Sequence, residues 1–265
     1  MYRVVMYALV GVSAELAEQL VAIETGGEDA VHQARTRVRR LRSILSVYRR
    51  AFDREEDRRL RARMKTLGHR LGNVRDLEVR AGDLAGLANE QMSAAVVETI
   101  SALAARTREQ HERALDDLLR LLRSRGHREL LADLQQFAAA PPLSDAGEAD
   151  PGKVAQKGLK KAVRRVQRGE GDALEQRHAT RKAARRLRYA AEAVADDLGD
   201  RAVRLAEAAE TVQDALGDHR DLILLARQLR EGAPDGTLDP IAADCERQAA
   251  EALAPLDDAL AAIEW

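Results

Sequence analysis

Two motifs each occur twice in this chain of 265 residues, and that duplication constrains the fold more than any other feature. His32-x-x-Arg35-x-x-x-Arg39-Arg40-Leu41-Arg42 aligns without a gap to His178-x-x-Arg181-x-x-x-Arg185-Arg186-Leu187-Arg188, 146 positions later. Leu71-Gly72-x-x-Arg75-Asp76-Leu77 aligns in the same way to Leu216-Gly217-x-x-Arg220-Asp221-Leu222, 145 positions later. Ordered motif pairs at nearly equal separation mark an internal repeat. The chain is therefore expected to form two tandem helical bundles related by an approximate two-fold axis.

Composition decides that the repeated unit is helical. Aromatic residues make up 3% of the chain, and the first 140 positions contain no proline. Strand-rich folds need β-branched and aromatic residues and frequent turns. Ala, Leu, Glu and Arg, the strongest helix formers, dominate instead. The reading is all-α. Helices are predicted over 2–25, 28–52, 54–86, 91–124 and 127–139, then 152–169, 172–198, 200–231 and 238–263. Turns are expected at Gly26-Gly27, Gly126, Gly169/Gly171, Gly199 and Gly232 to Gly236, with a break at Pro255. Pro141, Pro142 and Pro151 bracket a small, acidic stretch, which divides the chain into 1–140, a linker 141–151, and 152–265.

One cysteine, Cys245, excludes a disulfide framework and any CxxC site. The uncharged run Val4 to Ala14 is too short to cross a bilayer, so no membrane span is expected. Arg3, the apolar run and Val12-Ser13-Ala14 resemble a weak signal peptide. The helical pattern continues through Leu16, Leu20 and Ile23, however, so an uncleaved first helix and a cytoplasmic protein are expected.

The formal net charge is −1, but the signs are segregated along the chain. Residues 31–50 carry seven arginines and no acid; residues 152–169 carry seven Lys or Arg and no acid; residues 177–191 carry six and no acid. At about 100° per residue, Ala34, Val38, Leu41, Ile44, Leu45 and Tyr48 form one apolar stripe. His32, Arg35, Arg39, Arg42, Arg49 and Arg50 fall together on another arc. The second copy repeats this, with His178, Arg181, Arg185 and Arg188 beside an alanine-rich stripe, and Lys182 and Arg186 further round. Lys153, Lys157, Lys160, Arg164 and Arg168 share an arc of the helix that precedes it. Arg37 lies on the apolar side, has no counterpart in the second copy (Ala183), and reads as structural.

Like charges at i, i+4 oppose helix formation slightly, and a polyanion lying along the face relieves that repulsion. Arginine suits this task because its planar fork matches phosphate oxygens. Two such helices brought face to face would form a basic channel. A zinc site is not expected, because neither His32 nor His178 has a ligand partner at i+4 and the arginines repel a cation. Hydrogen bonding of phosphate by the histidines, mildly sensitive to pH, fits better. Asp76 and Asp221 are read as bracing the helices that follow Leu-Gly; the alternative is that they hold arginines of the basic helices. His219-Arg220-Asp221 matches a kinase triplet with none of its accompanying motifs.

These repeated motifs, the segment 185–192 and the stretch Leu121 to Phe137 resemble the CHAD family of α-helical domains. The resemblance implies two four-helix bundles around a basic central cavity that binds inorganic polyphosphate, often with targeting to polyphosphate granules. It places His32, Arg35, Arg39, Arg42, His178, Arg181, Arg185 and Arg188 on the binding surface. Lys182 and the stripe Lys153, Lys157, Lys160 and Arg164 are plausible additions, together with Arg49 from the arc described above. The first helix carries only Arg3, so the cavity is expected to be lopsided. Family members often accompany a triphosphate-hydrolysing barrel; no strand-rich region occurs here, so a stand-alone binding module is expected. The function expected is non-enzymatic polyphosphate binding, with neither cofactor nor metal. Nucleic-acid binding is the alternative, and phosphate-chain hydrolysis a more distant one.

Overall fold

A computed structural model describes residues 2–89, 92–169 and 173–265, and these form helices without strands. The first half holds α1 (Tyr2–Glu24), α2 (Ala30–Tyr48), α3 (Arg54–Leu87), α4 (Ala94–Leu122) and α5 (Arg125–Ala139). The short α6 (Asp145–Ala149) follows, then α7 (Pro151–Gln167), α8 (Leu174–Glu192), α9 (Ala195–Leu198), α10 (Asp200–Gly232), α11 (Asp239–Glu251) and α12 (Leu256–Ala261). Gln91, Asp172 and Gly171, taken as helix starts and a turn, lie outside the described residues.

Local chemistry sets most of these boundaries. Asp53 caps α3 by accepting from the backbone N–H groups of Glu55 and Glu56, and Asp150 caps α7 ahead of a proline in its first turn. Gly26, Gly199 and Gly236 adopt positive φ where the chain reverses. The last helix breaks before Pro255, as its sequence requires. Several expectations differ from what is observed. Gly126 lies inside α5 rather than in a turn. The stretch 172–198 is two helices, because the chain turns at Ala193-Val194.

The linker is ordered rather than a free tether. Its α6 packs on the turn after α2, with Ser144 N–H donating to the Ala51 carbonyl and Asp53 N–H to that of Pro142. Gly147 meets the Ala51 carbonyl so closely that no side chain fits there.

Neighbours recur in the two halves: α1 on α2, α2 on α3 and α3 on α4, then α7 on α8, α8 on α10 and α10 on α11. The halves join where α2 packs against α8 and α7. Both hydrophobic cores draw on both halves. The larger runs from Leu9 and Leu16 through Val38, Leu41 and Leu45 to Leu187 and Val212; the smaller joins Leu84 and Ile100 to Leu229 and Cys245.

The segment Val4–Glu24 of α1 is, contrary to expectation, long and apolar enough to cross a membrane by length and composition. The short uncharged run understated it, because that run stops at Glu15 while the apolar character continues past Glu15 and Glu18. Here one face of that helix, from Val5 through Leu9, Val12, Leu16 and Leu20 to Ile23, is buried in the larger core.

Tyr48 ties α2 to α8. The chain turns after α8, so the N–H of Val194 bonds to Ala191 and leaves the Ala190 carbonyl for the Tyr48 hydroxyl, which donates to it at 2.7 Å. Burial also pushes the phenol pKa up. Tyr48→Phe is expected to cost about 1–2 kcal/mol in a urea titration, with the helical circular-dichroism spectrum unchanged.

Candidate functional site

Helices α2 and α8 bury their apolar stripes against the larger core. Ala34, Val38, Leu41, Leu45, Ala184, Leu187, Ala190 and Ala191 are all fully enclosed. The alanines of α8 let the two helices approach closely, which carries the cations flanking each stripe to the seam between them.

Arg39 and Arg185, equivalent positions of the two repeats, are half-buried there. Burial, then Arg35 and Arg181 nearby, lower the Arg39 pKa to about 10, against a partial opposing effect of Tyr189 and Asp76. Burial, then Arg39, Arg181 and Arg186, lower that of Arg185 to about 9. Both guanidinium groups remain charged at neutral pH, at a cost to the folded state. The Nε atoms of Arg39, Arg181 and Arg185 are buried without a hydrogen-bond partner, as is Nδ1 of His178. Buried donors are ordinarily paired.

A cavity of about 280 Å³ opens between α2, α3 and α8. Arg39, Arg42, Arg58, Arg61, Lys65, Arg185 and Arg186 line it, with Ser43, Ser46 and Ala62; among the described residues no carboxylate does. A second, narrower cavity between α2, α7 and α8 is edged by Arg49, Arg50, Lys157, Lys161, Arg165 and Arg186 over an apolar floor. Arg186 lines both cavities, and burial, Arg165, Arg42 and Arg61 depress its pKa. Arg61 is held from behind by Asp57, whose buried carboxylate accepts from Nε and Nη2 at 2.6–3.0 Å.

The fourteen positions singled out in the sequence do not all converge. Arg39, Arg42 and Arg185 line the first cavity, and Arg49 and Lys157 the second. His32 sits near Asp29, Arg75, Arg35 and Arg39, and His178 near Lys182, Arg220, Arg181 and Arg185. Burial and these cations hold both imidazoles below their ordinary pKa. Arg35 pairs with Asp76 at 2.9 Å. Arg188 differs from its equivalent Arg42, being engaged by Glu192 at 2.8 Å and Glu210 at 2.7 Å, which raise its pKa. Lys153, Lys160 and Arg164 are exposed and line neither cavity, and Lys160 lies over the Trp265 ring. The face of α7 turned to the second cavity is Lys157, Lys161 and Arg165.

Arg58, Arg61, Lys65 and Arg165 join the site unpredicted, together with Arg50, Arg186 and Lys161, which lie on or beside the basic arcs but outside the fourteen. Arg58, Arg61 and Lys65 do share a helical face, but Glu55, Glu56 and Asp57 beside them conceal it in a charge count. Arg37 bonds to Glu15 and Gln33, consistent with a structural role. Asp76 follows the alternative reading rather than the favoured bracing one: it holds an arginine of a basic helix, pairing with Arg35 of α2. His219 is structural too. Buried, it bonds to the Ala249 carbonyl and to Arg177.

The sequence profile of the CHAD domain matches residues 12–230, most of the chain and both motif pairs. The chain belongs to the CHAD-domain family. This CHAD domain is 30% identical over 199 residues to the uncharacterized protein MT2285 of Mycobacterium tuberculosis. The match covers 69% of the chain and 38% of that longer protein. Among solved structures it resembles PptA from Streptomyces chartreusis, with a TM-score of 0.79, 17% identity and 98% of each chain covered. It also resembles the CHAD domain from the plant Ricinus communis, with a TM-score of 0.70, 20% identity, and 99% and 91% of the two chains covered. These structural likenesses show the fold.

Proposed function

We propose that this CHAD domain is a non-enzymatic receptor for inorganic polyphosphate, which it engages in the cytoplasm and at polyphosphate granules. The observation that carries the reading is the set of half-buried arginines with unpartnered Nε donors, set against a cavity that seven cations and no carboxylate line. A phosphate chain supplies acceptor oxygens at every repeat, so many modest charge-assisted bonds accumulate along one ligand. Low-dielectric walls concentrate the field of these cations beyond what a net charge of −1 suggests.

Nucleic acid shares the phosphate chemistry, but single-strand readers add aromatic platforms. The two tyrosines among the basic segments, Tyr48 and Tyr189, are both buried. The non-enzymatic part of the proposal rests on the cavity lining, which offers neither a general acid nor a metal-binding acidic pair beside the arginines.

A competition titration tests the reading. Long-chain polyphosphate is expected to displace bound DNA at far lower phosphate concentration than the reverse. The double variant Arg35→Glu/Arg185→Glu is expected to lose affinity by about two orders of magnitude while its helicity survives. Intact binding in that variant, or phosphate released from the chain with Mg²⁺ or Mn²⁺ and abolished by His32→Ala, would overturn the proposal.

A further inference from the structure

The two repeated motifs meet in space. Leu-Gly-x-x-Arg-Asp-Leu lies on α3 and on α10, each packed against the helix that carries the preceding His-x-x-Arg. A Cβ added to Gly72 would lie 3.6 Å from Nε of Arg35. A Cβ added to Gly217 would lie 3.1 Å from Nη2 and 3.2 Å from Nε of Arg181. Each glycine is thus a notch in which the guanidinium of the neighbouring helix rests.

One turn further on, Asp76 accepts from Arg35 at 2.9 Å, and Asp221 is the strongest attractive charge acting on Arg181. The arginine between glycine and aspartate also faces the first motif: Arg75 lies near His32, and Arg220 near His178 and Lys182. Arg75 is itself held by Glu78 at 2.9 Å and approaches Asp29 at 3.8 Å. Arg39 and Arg185, one turn along α2 and α8, lie against neither glycine, and among the described residues neither makes an ion pair; their buried Nε atoms, like that of Arg181, have no partner.

We infer that Gly72 with Asp76, and Gly217 with Asp221, are clamps that seat Arg35 and Arg181 as preoriented anion-binding groups beside the freer Arg39 and Arg185. The inference rests on the polyphosphate reading and assigns the second repeated motif a positioning role within it. Arg35, bonded to a carboxylate at one edge, and Arg181, lodged against a bare helix surface with the Asp221 charge nearby, lose little rotamer freedom on meeting a phosphate. The carboxylates thus serve binding although their charge opposes the ligand.

That opposition gives a test by sign. Asp76→Asn/Asp221→Asn removes two negative charges from the site, so counter-ions that merely weaken the field would on removal tighten binding. Clamps would on removal weaken it, by about tenfold for a defined-length polyphosphate, measured by fluorescence anisotropy well below the melting temperature. Gly217→Ala is expected to weaken binding several-fold because the methyl displaces Arg181, and Gly72→Ala, whose added Cβ lies at ordinary contact distance from Arg35, to weaken it less. A purely structural role would lower the melting temperature of these variants and leave the affinity of the folded protein alone. Tighter binding by the double Asn variant, or wild-type affinity in both it and Gly217→Ala, would overturn the clamp. Failure of the unmodified chain to bind polyphosphate would instead overturn the reading beneath it.

Discussion

Arg185→Met is expected to raise the melting temperature of the ligand-free protein and to lower its polyphosphate affinity. The side chain sits beside Ala184 and Leu187 of the core stripe, which are fully buried, and its Nε has no partner. Burial together with Arg39, Arg181 and Arg186 has already pulled its pKa down to about 9. Replacing a poorly compensated buried charge by an apolar chain of similar length commonly stabilises by about 1–4 kcal/mol. For a domain of this size each kcal/mol is worth about 2–4 °C, so a rise of about 2–16 °C is expected by scanning calorimetry. Loss of a charge-assisted contact of about 1.5–3 kcal/mol weakens the ligand about 10- to 100-fold. Arg61→Met makes the contrast. Arg61 lines the same cavity but is bonded to the buried Asp57, so its removal strands that carboxylate and lowers the melting temperature. A lower melting temperature for Arg185→Met would show that this arginine supports the fold rather than the ligand.

The reason some of this was legible and some was not lies in the range of the interactions. The repeated His-x-x-Arg helices declare themselves because i, i+3, i+4 and i+7 spacings are local, and α2 and α8 do bury the stripes those spacings define. The flank of α7 that faces the cavity was not local information. Its buried stripe of Ala155, Leu159, Ala162, Val163 and Val166 has cations on both sides, and the crossing with α2 selects between them. At that crossing Gly158 lies so near the Val47 carbonyl that a Cβ would sit 2.7 Å away, which turns Lys157, Lys161 and Arg165 inward. Arg188 fits the repeat as well as Arg42 does, and only the fold brings Glu210 of α10 against it. The acids around Arg58 and Arg61 hid the contribution of α3 for the opposite reason: Asp57 cancels charge in a count, yet in space it points one of those arginines into the cavity.

Polyphosphate is expected to stabilise the protein, and the stabilisation should grow with chain length. At a free ligand concentration about 100 times the dissociation constant, linkage adds about 2.7 kcal/mol, or about 5–10 °C at 2–4 °C per kcal/mol. The cations of the first cavity and those of the second are joined through Arg186, so a short chain satisfies one group and a longer one both. Orthophosphate is accordingly expected to shift the melting temperature little at equal phosphate concentration, and chains long enough to pass Arg186 to shift it most. Raising the salt concentration should erode the effect along a straight line in log affinity against log salt, because the contacts are ionic. The pH dependence has a definite sign. Burial and neighbouring cations hold the His32 and His178 imidazoles below their ordinary pKa in the free protein, and a bound polyanion offsets those cations and raises both. The complex then binds more protons than the free protein, so affinity should strengthen as pH falls through the interval between the two states. A melting-temperature shift equal for orthophosphate and for long chains, or affinity that falls on mild acidification, would mean that the arginines act as separate surface charges and not as one receptor for a phosphate polymer.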